Sequence, residues 1–234
     1  MKFKKDLLLV NPYKVNSKWE TFLAPSFGLY RMKFYLETQG FQVDVIDPNL
    51  DSVSFTQHEY KVIGFGTYHD TLENDIALIH QARAACPDSL IIVGGIQATF
   101  SFQEFFDYAD VDLVVKGEGE KPMLSLLQAL SDQPRTDLEL VVQKITGIVW
   151  KQNGTISDTG PNPQLNHQEF NDVTKPFDFA QVPYDKYWEN NTQQYLQREP
   201  NDIEIKTIRI FTSNYCPFRC TFCSSSFFLD RPVV

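Results

Sequence analysis

From residue 6 to about residue 130, short apolar runs alternate with amphipathic stretches. Leu7-Leu8-Leu9-Val10, Phe41-Gln42-Val43-Asp44-Val45-Ile46, Val62-Ile63-Gly64-Phe65-Gly66, Leu90-Ile91-Ile92-Val93 and Val111-Asp112-Leu113-Val114-Val115 have strand length. Between them apolar positions recur at helical spacing. Leu29, Met32 and Leu36 share one face, with Gly40 as a C-terminal stop. Leu72, Ile76 and Ile79 share another, led by Asp70 and Glu73 as a capping box. A short helical piece follows over 102–108, and Pro122 opens a helix that runs through Leu130. Strands alternating with helices mark a parallel sheet covered on both faces. The pattern predicts an α/β fold, a flavodoxin-like doubly wound five-stranded parallel sheet. The order 2-1-3-4-5 is chosen on precedent, because alternation alone does not order strands.

Glycine is concentrated where strands three, four and five end: Gly64-Phe65-Gly66, Gly94-Gly95-Ile96-Gln97-Ala98-Thr99 and Lys116-Gly117-Glu118-Gly119-Glu120. Open α/β sheets bind ligands at these carboxyl ends, and glycine lets backbone come close to a ligand. No stretch fits the G-x-G-x-x-G dinucleotide fingerprint. Each glycine alone is as readily a turn former, so their joint placement is the signal. Beyond the sheet, Gln152-Asn153-Gly154-Thr155 between two apolar runs predicts a β-hairpin. Pro161, Pro163, Pro176 and Pro183 then describe an irregular linker. Its aromatics Phe170, Phe177, Phe179, Tyr184, Tyr187 and Trp188 are expected to pin it to neighbouring surfaces, with an aromatic substrate cage as the weaker alternative.

Composition narrows the function. The 234 residues are 42% hydrophobic with a net charge of −9, which disfavours a broad phosphate-binding face and hence nucleic acid. No apolar run approaches the ~20 residues that span a bilayer. Leu7–Val10 is too short for a signal-peptide core of ~7–15 residues. Clustered thiols fit a reducing cytoplasm. Cys86, just before Pro87, reads as a small buried residue. The histidines, His58, His69, His80 and His167, have no second ligand at metal-site spacing.

The remaining cysteines fall within eight positions, Cys216-Pro217-Phe218-Arg219-Cys220-Thr221-Phe222-Cys223, spaced C-x-x-x-C-x-x-C. Thiolates bind iron–sulfur clusters or zinc. Structural zinc wants four protein ligands, and no Cys or His follows Cys223. A zinc knuckle or a chance cluster of thiols is the alternative. Preceded by Thr207-Ile208-Arg209-Ile210-Phe211-Thr212, the segment resembles the start of a radical S-adenosylmethionine (SAM) domain. That resemblance implies a 4Fe–4S cluster on Cys216, Cys220 and Cys223, SAM on the fourth iron, and Phe222 near the adenine.

The N-terminal part is similar to the cobalamin-binding domain of cobalamin-dependent radical SAM enzymes. The matching features are Pro25-Ser26-Phe27-Gly28-Leu29, Val45-Ile46-Asp47, Gly94 to Thr99 and Gly117-Glu118-Gly119-Glu120. The resemblance implies cobalamin contacts from Asn11, Gly66, Thr67, Gly94, Gly95, Gln97, Thr99, Gly117, Glu118 and Gly119. The family commonly has Pro and His where this chain has Ile96 and Gln97. The D-x-H-x-x-G motif that places histidine beneath cobalt is missing, so the lower axial site is expected to lack histidine. Three parts follow: a cobalamin-binding domain over 1–131, a linker with a hairpin over 132–205, and the first strand and cluster loop of a radical SAM barrel over 206–234. An eight-unit barrel takes ~250 residues, so this last part is expected to be incomplete and the chain alone not to turn over. The implied activity is reductive cleavage of SAM to a 5′-deoxyadenosyl radical, with methylation of an unreactive carbon favoured over ring contraction or cyclisation. A small molecule or peptide would be the substrate and a flavodoxin or ferredoxin the electron donor. The rivals are a non-catalytic cobalamin- or nucleotide-binding module with a zinc-binding knuckle, and an RNA methylthiotransferase. Cys86 alone cannot supply the second cluster of the latter.

Overall fold

The computed structural model describes residues 4–14, 23–56, 59–132, 138–198, 203–210 and 220–223. Among the described residues, seven strands form one sheet in the order β2-β1-β3-β4-β5-β6-β7. The parallel part comprises β1 (Lys5–Val10), β2 (Val43–Ile46), β3 (Tyr60–Gly66), β4 (Leu90–Gly94) and β5 (Leu113–Val115). The helices covering it are α1 (Phe27–Thr38), α2 (Leu72–Ala85), α3 (Ile96–Phe100), α4 (Phe102–Tyr108) and α5 (Glu120–Asp132).

The apolar runs are continuous because both faces are covered. Leu8, Val10, Ile63, Phe65, Ile91 and Val93 face Leu78, Ile79, Ala98 and Phe105 of α2 to α4. Leu7, Leu9, Val62, Ile92, Leu113 and Val115 face Leu36, Met123, Leu126 and Leu127 of α1 and α5. The five-stranded sheet is therefore present in the expected order, but it does not stop at β5. The hairpin of β6 (Ile148–Gln152) and β7 (Thr155–Asp158) joins the same sheet antiparallel, pairing Leu113 with Trp150 and Val115 with Ile148. Its turn has Asn153 at φ 49° and Gly154 at φ 80°, two left-handed residues that match the twist of the flanking strands.

The linker contains helices as well as the hairpin. Beyond α6 (Leu138–Val142), α7 (His167–Thr174) and α8 (Tyr184–Arg198) carry much of it. Tyr187 of α8 donates to Asp47 Oδ2 at 2.6 Å, and Asn191 brackets Leu23, accepting from its N–H and donating to its carbonyl, each at 2.8 Å. Phe177 stacks on Phe27 with centroids 4.7 Å apart and meets Phe34 edge-on.

The capping box expected from Asp70 and Glu73 is replaced by a 3-10 turn over His69–Thr71, after which Thr71 caps α2 without a side-chain bond. Thr71 instead donates to Asp75 Oδ2 at 2.6 Å, and Tyr13 N donates to Oδ1 at 3.0 Å. That draws Asp75 inside and leaves Ile76 half-buried. Residues 203–210 join no ladder, and the rest of the expected barrel strand, Phe211 and Thr212, lies outside the described residues. Among the described residues no helix is long and apolar enough to cross a membrane.

Candidate functional site

Between β1 and β3 the chain departs to opposite sides of the sheet, and such a switch point opens a crevice at the carboxyl edge. A cleft of about 480 Å3 lies there on the α1 and α5 side. Its floor is apolar: Leu9, Leu29, Ile92, Val115 and Met123. Its rim is formed by the turns after β3, β4 and β5. Gly66, Thr67, Gly94, Gly95, Thr99, Gly117, Glu118 and Gly119 all border it. No histidine lines it among the described residues.

Several of these residues spend their polar groups on shaping the rim. Thr67 N and Oγ1 both donate to the Gly94 carbonyl, at 2.9 and 2.8 Å, while its Oγ1 accepts from Ala98 N at 3.2 Å. Thr99 Oγ1 donates to the Gly95 carbonyl at 2.7 Å and accepts from Gly117 N at 3.0 Å, linking the turns after β4 and β5. Gly95 sits at φ 98°, and a Cβ there would stand 2.8 Å from the Thr67 carbonyl oxygen. Only glycine permits that conformation and that approach.

Two expected contacts lie elsewhere. Gln97 is buried and donates to Glu104 Oε2 at 2.6 Å, outside the cleft. Asn11 donates to Asp47 Oδ2 at 2.8 Å and borders a neighbouring cavity instead. Of the cysteines, Cys216 lies outside the described residues. Cys220 and Cys223 are linked by a turn in which Cys223 N donates to the Cys220 carbonyl at 3.0 Å, and Phe222 between them is 90% exposed.

The sequence reading missed the clamp at the cleft's flank. Arg31 on α1 donates to Glu120 Oε1 and Glu118 Oε2, both at 2.6 Å, between the rings of Phe27 and Phe170. Burial works against the Arg31 charge, but Glu120 and then Glu118 more than reverse it and hold the guanidinium above its ordinary value. Burial pushes the Glu120 carboxyl up, with Arg31 pulling against it. Arg31 lies between Leu29 and Met32, so a polar residue beside the apolar face of α1 was the available signal.

The cleft offers a broad ligand an apolar floor and a rim of glycine turns, and Gly95 lets the turns after β3 and β4 meet by leaving no Cβ against the Thr67 backbone. Comparison with known proteins shows what the chain is similar to. Residues 21–127, a little under half of the chain, match the model of the B12 binding domain. The chain's fold is similar to part of that of the radical SAM methyltransferase TsrM from Kitasatospora setae, solved with cobalamin and a [4Fe-4S] cluster. The TM-score is 0.55 at 22% identity, covering 70% of this chain and 30% of that one. By sequence it is 24% identical to an uncharacterized methyltransferase of Pyrococcus horikoshii over 97% of this chain and 46% of the relative. It is 26% identical to the anaerobic magnesium-protoporphyrin IX monomethyl ester cyclase of Cereibacter sphaeroides over 61% of this chain and 21% of that enzyme. The chain thus spans less than half the length of each of these proteins.

Proposed function

We propose that this chain carries the cobalamin cradle and the cluster loop of a cobalamin-dependent radical SAM methyltransferase. The observation that carries the reading is the glycine-rimmed, apolar-floored cleft in the part that matches the B12 binding domain, followed in the same chain by C-x-x-x-C-x-x-C. When bound, cobalamin would supply a methyl carrier, and SAM on a 4Fe–4S cluster would supply the 5′-deoxyadenosyl radical that takes hydrogen from an unreactive carbon. The chain's own residues have narrower tasks. Leu9, Ile92, Val115 and Met123 would exclude water from the cleft floor, and the side-chain-free turns at Gly94-Gly95 and Gly117 to Gly119 would let the cofactor's edge come close to the backbone. Cys216, Cys220 and Cys223 would give three thiolates, and Phe222 a flat surface for adenine. A small molecule or peptide is the substrate class, and a flavodoxin or ferredoxin in the cytoplasm would deliver the electron. The likeness to a cyclase supports a second reading, radical chemistry that closes a ring without methyl transfer.

Anaerobic reconstitution with iron, sulfide and hydroxocobalamin tests this. The reading predicts bound iron and sulfide, together with a cob(II)alamin paramagnetic resonance spectrum that lacks axial nitrogen splitting. Zinc without iron or sulfide would instead favour a binding module with a cysteine knuckle. A nitrogen triplet lost on replacing one histidine would contradict the histidine-free lower face.

A further inference from the structure

Next to the glycine-rimmed cleft, and sharing Pro12, Ser26, Phe27 and Tyr68 with it, lies a second cavity of about 330 Å3. Its walls differ in kind. Phe27, Tyr68, Phe177 and Tyr184 make them aromatic, while Lys14 and Arg209 bring two cations from opposite ends of the chain. Tyr68 joins the two cavities and is 40% exposed. Lys14 Nζ lies 6.0 Å from its ring centroid. Burial and then Asp70 raise the Tyr68 hydroxyl's pKa, and the Arg209 charge opposes them; Tyr68 and Arg209 both line the cavity. Neither cation is ion-paired with a carboxylate among the described residues. Asp70 also borders the cavity, so two cations face one carboxylate in a chain whose net charge is −9.

We infer that this cavity is the substrate pocket of the proposed reaction and takes a small molecule bearing an anionic group, carboxylate or phosphate, on a flat unsaturated body. Lys14 and Arg209 would bind the anion with charge-assisted hydrogen bonds, and Arg209 adds a planar fork suited to two oxygens. Phe177 and Tyr184 would flank the body, as aromatic walls do in ligand pockets of this size. The junction at Tyr68 sets the bound molecule next to the cleft assigned to cobalamin. The word substrate rests on the proposed function, whereas the anion site rests on this cavity alone.

Calorimetric titration of the full chain with phenyl phosphate, phenylacetate and benzyl alcohol separates the possibilities. Both anions should bind, and benzyl alcohol should bind at least about tenfold more weakly, a gap of about 1.4 kcal/mol. The double variant Lys14→Gln/Arg209→Gln, at two exposed positions, should weaken both anions by at least about tenfold. Its circular dichroism and its affinity for hydroxocobalamin should match those of the unaltered chain. Tighter phenyl phosphate points to a phosphorylated substrate and tighter phenylacetate to a carboxylic acid; either supports the inference. Equal binding of benzyl alcohol, or anion binding untouched in the double variant, overturns it. So does competitive displacement of phenyl phosphate by hydroxocobalamin, because the probe would then occupy the cofactor cleft. If the anions bind and hydroxocobalamin does not, the anion site stands while its role as a substrate pocket falls with the proposed function.

Discussion

In the sheet, β1, β3 and β4 have hydrogen-bonded neighbours on both sides and apolar cover on both faces. The described part of the segment leading to the cysteines, residues 203–210, joins no strand ladder. Among the described residues, it is tied to the body where Trp188 Nε1 donates to the Thr207 carbonyl and Ile205 N donates to Thr192 Oγ1, both at 2.8 Å. Ile210 and Phe222 face solvent. The contrast separates two kinds of site. The rim of the cleft is fixed by the chain's own packing, so it is formed before any ligand arrives. If the cysteines bind a cluster as proposed, metal binding is expected to help set the geometry of their loop.

The largest effect expected from this contrast is at the cysteines. Cys216→Ala, Cys220→Ala or Cys223→Ala should each abolish cluster assembly, measured as iron and sulfide after anaerobic reconstitution, and leave cobalamin binding in place. Cys86→Ala should change neither, since its thiol donates to the Phe55 carbonyl at 3.2 Å, away from both sites. Iron lost equally on replacing Cys86 would contradict the assignment.

On the sheet side, Asp75 should make stability depend on pH. Burial, opposed by the donors Thr71 and Tyr13, raises its pKa from 3.8 to about 7 in the fold. A carboxyl that holds its proton more tightly when folded contributes stability that is fully present below the unfolded value and is lost as pH rises through about 7. The contribution is on the order of a few kcal/mol. Asp75→Asn should flatten the decline in unfolding free energy between those two pH values, and curves that stay parallel would rule the idea out.

Gly95→Ala should cost about 2 kcal/mol through its left-handed backbone and the approach to Thr67, and should weaken cobalamin binding with it. Denaturant unfolding and a cobalamin titration read both. Tyr187→Phe removes one donor from the buried Asp47 carboxylate, which keeps Asn11 and Asn49. It should cost about 1.5 kcal/mol. The smallest effect belongs to Trp188→Phe, which releases Thr207. It should shift stability by under about 1 kcal/mol and leave cobalamin affinity unchanged; a large loss of affinity would mean that the segment shapes the cleft after all.

The parallel strands were legible because burial on both faces leaves continuous apolar runs, and the hairpin because Asn153-Gly154 has a specific turn geometry. That the hairpin extends the sheet was not legible. Its pairing of Leu113 with Trp150 is a long-range contact with no local signature. The glycine turns at the cleft rim could be located, but not that Gln97 turns away to Glu104 or that Asn11 serves Asp47, since each is decided by a distant partner. In α8 the signal was present and unread. Tyr184, Tyr187, Trp188 and Asn191 recur at helical spacing, and the surrounding prolines and polar residues masked that stripe.

The central claim is that the cleft at the sheet's carboxyl edge binds cobalamin by itself. Titrating hydroxocobalamin into the triple variant Cys216→Ala/Cys220→Ala/Cys223→Ala, followed by its visible absorption, tests that claim most directly. The account predicts saturable one-to-one binding as tight as that of the unaltered chain, and weaker binding once Gly95→Ala is added. No saturable binding in the unaltered chain, or binding that Gly95→Ala leaves untouched, would contradict it.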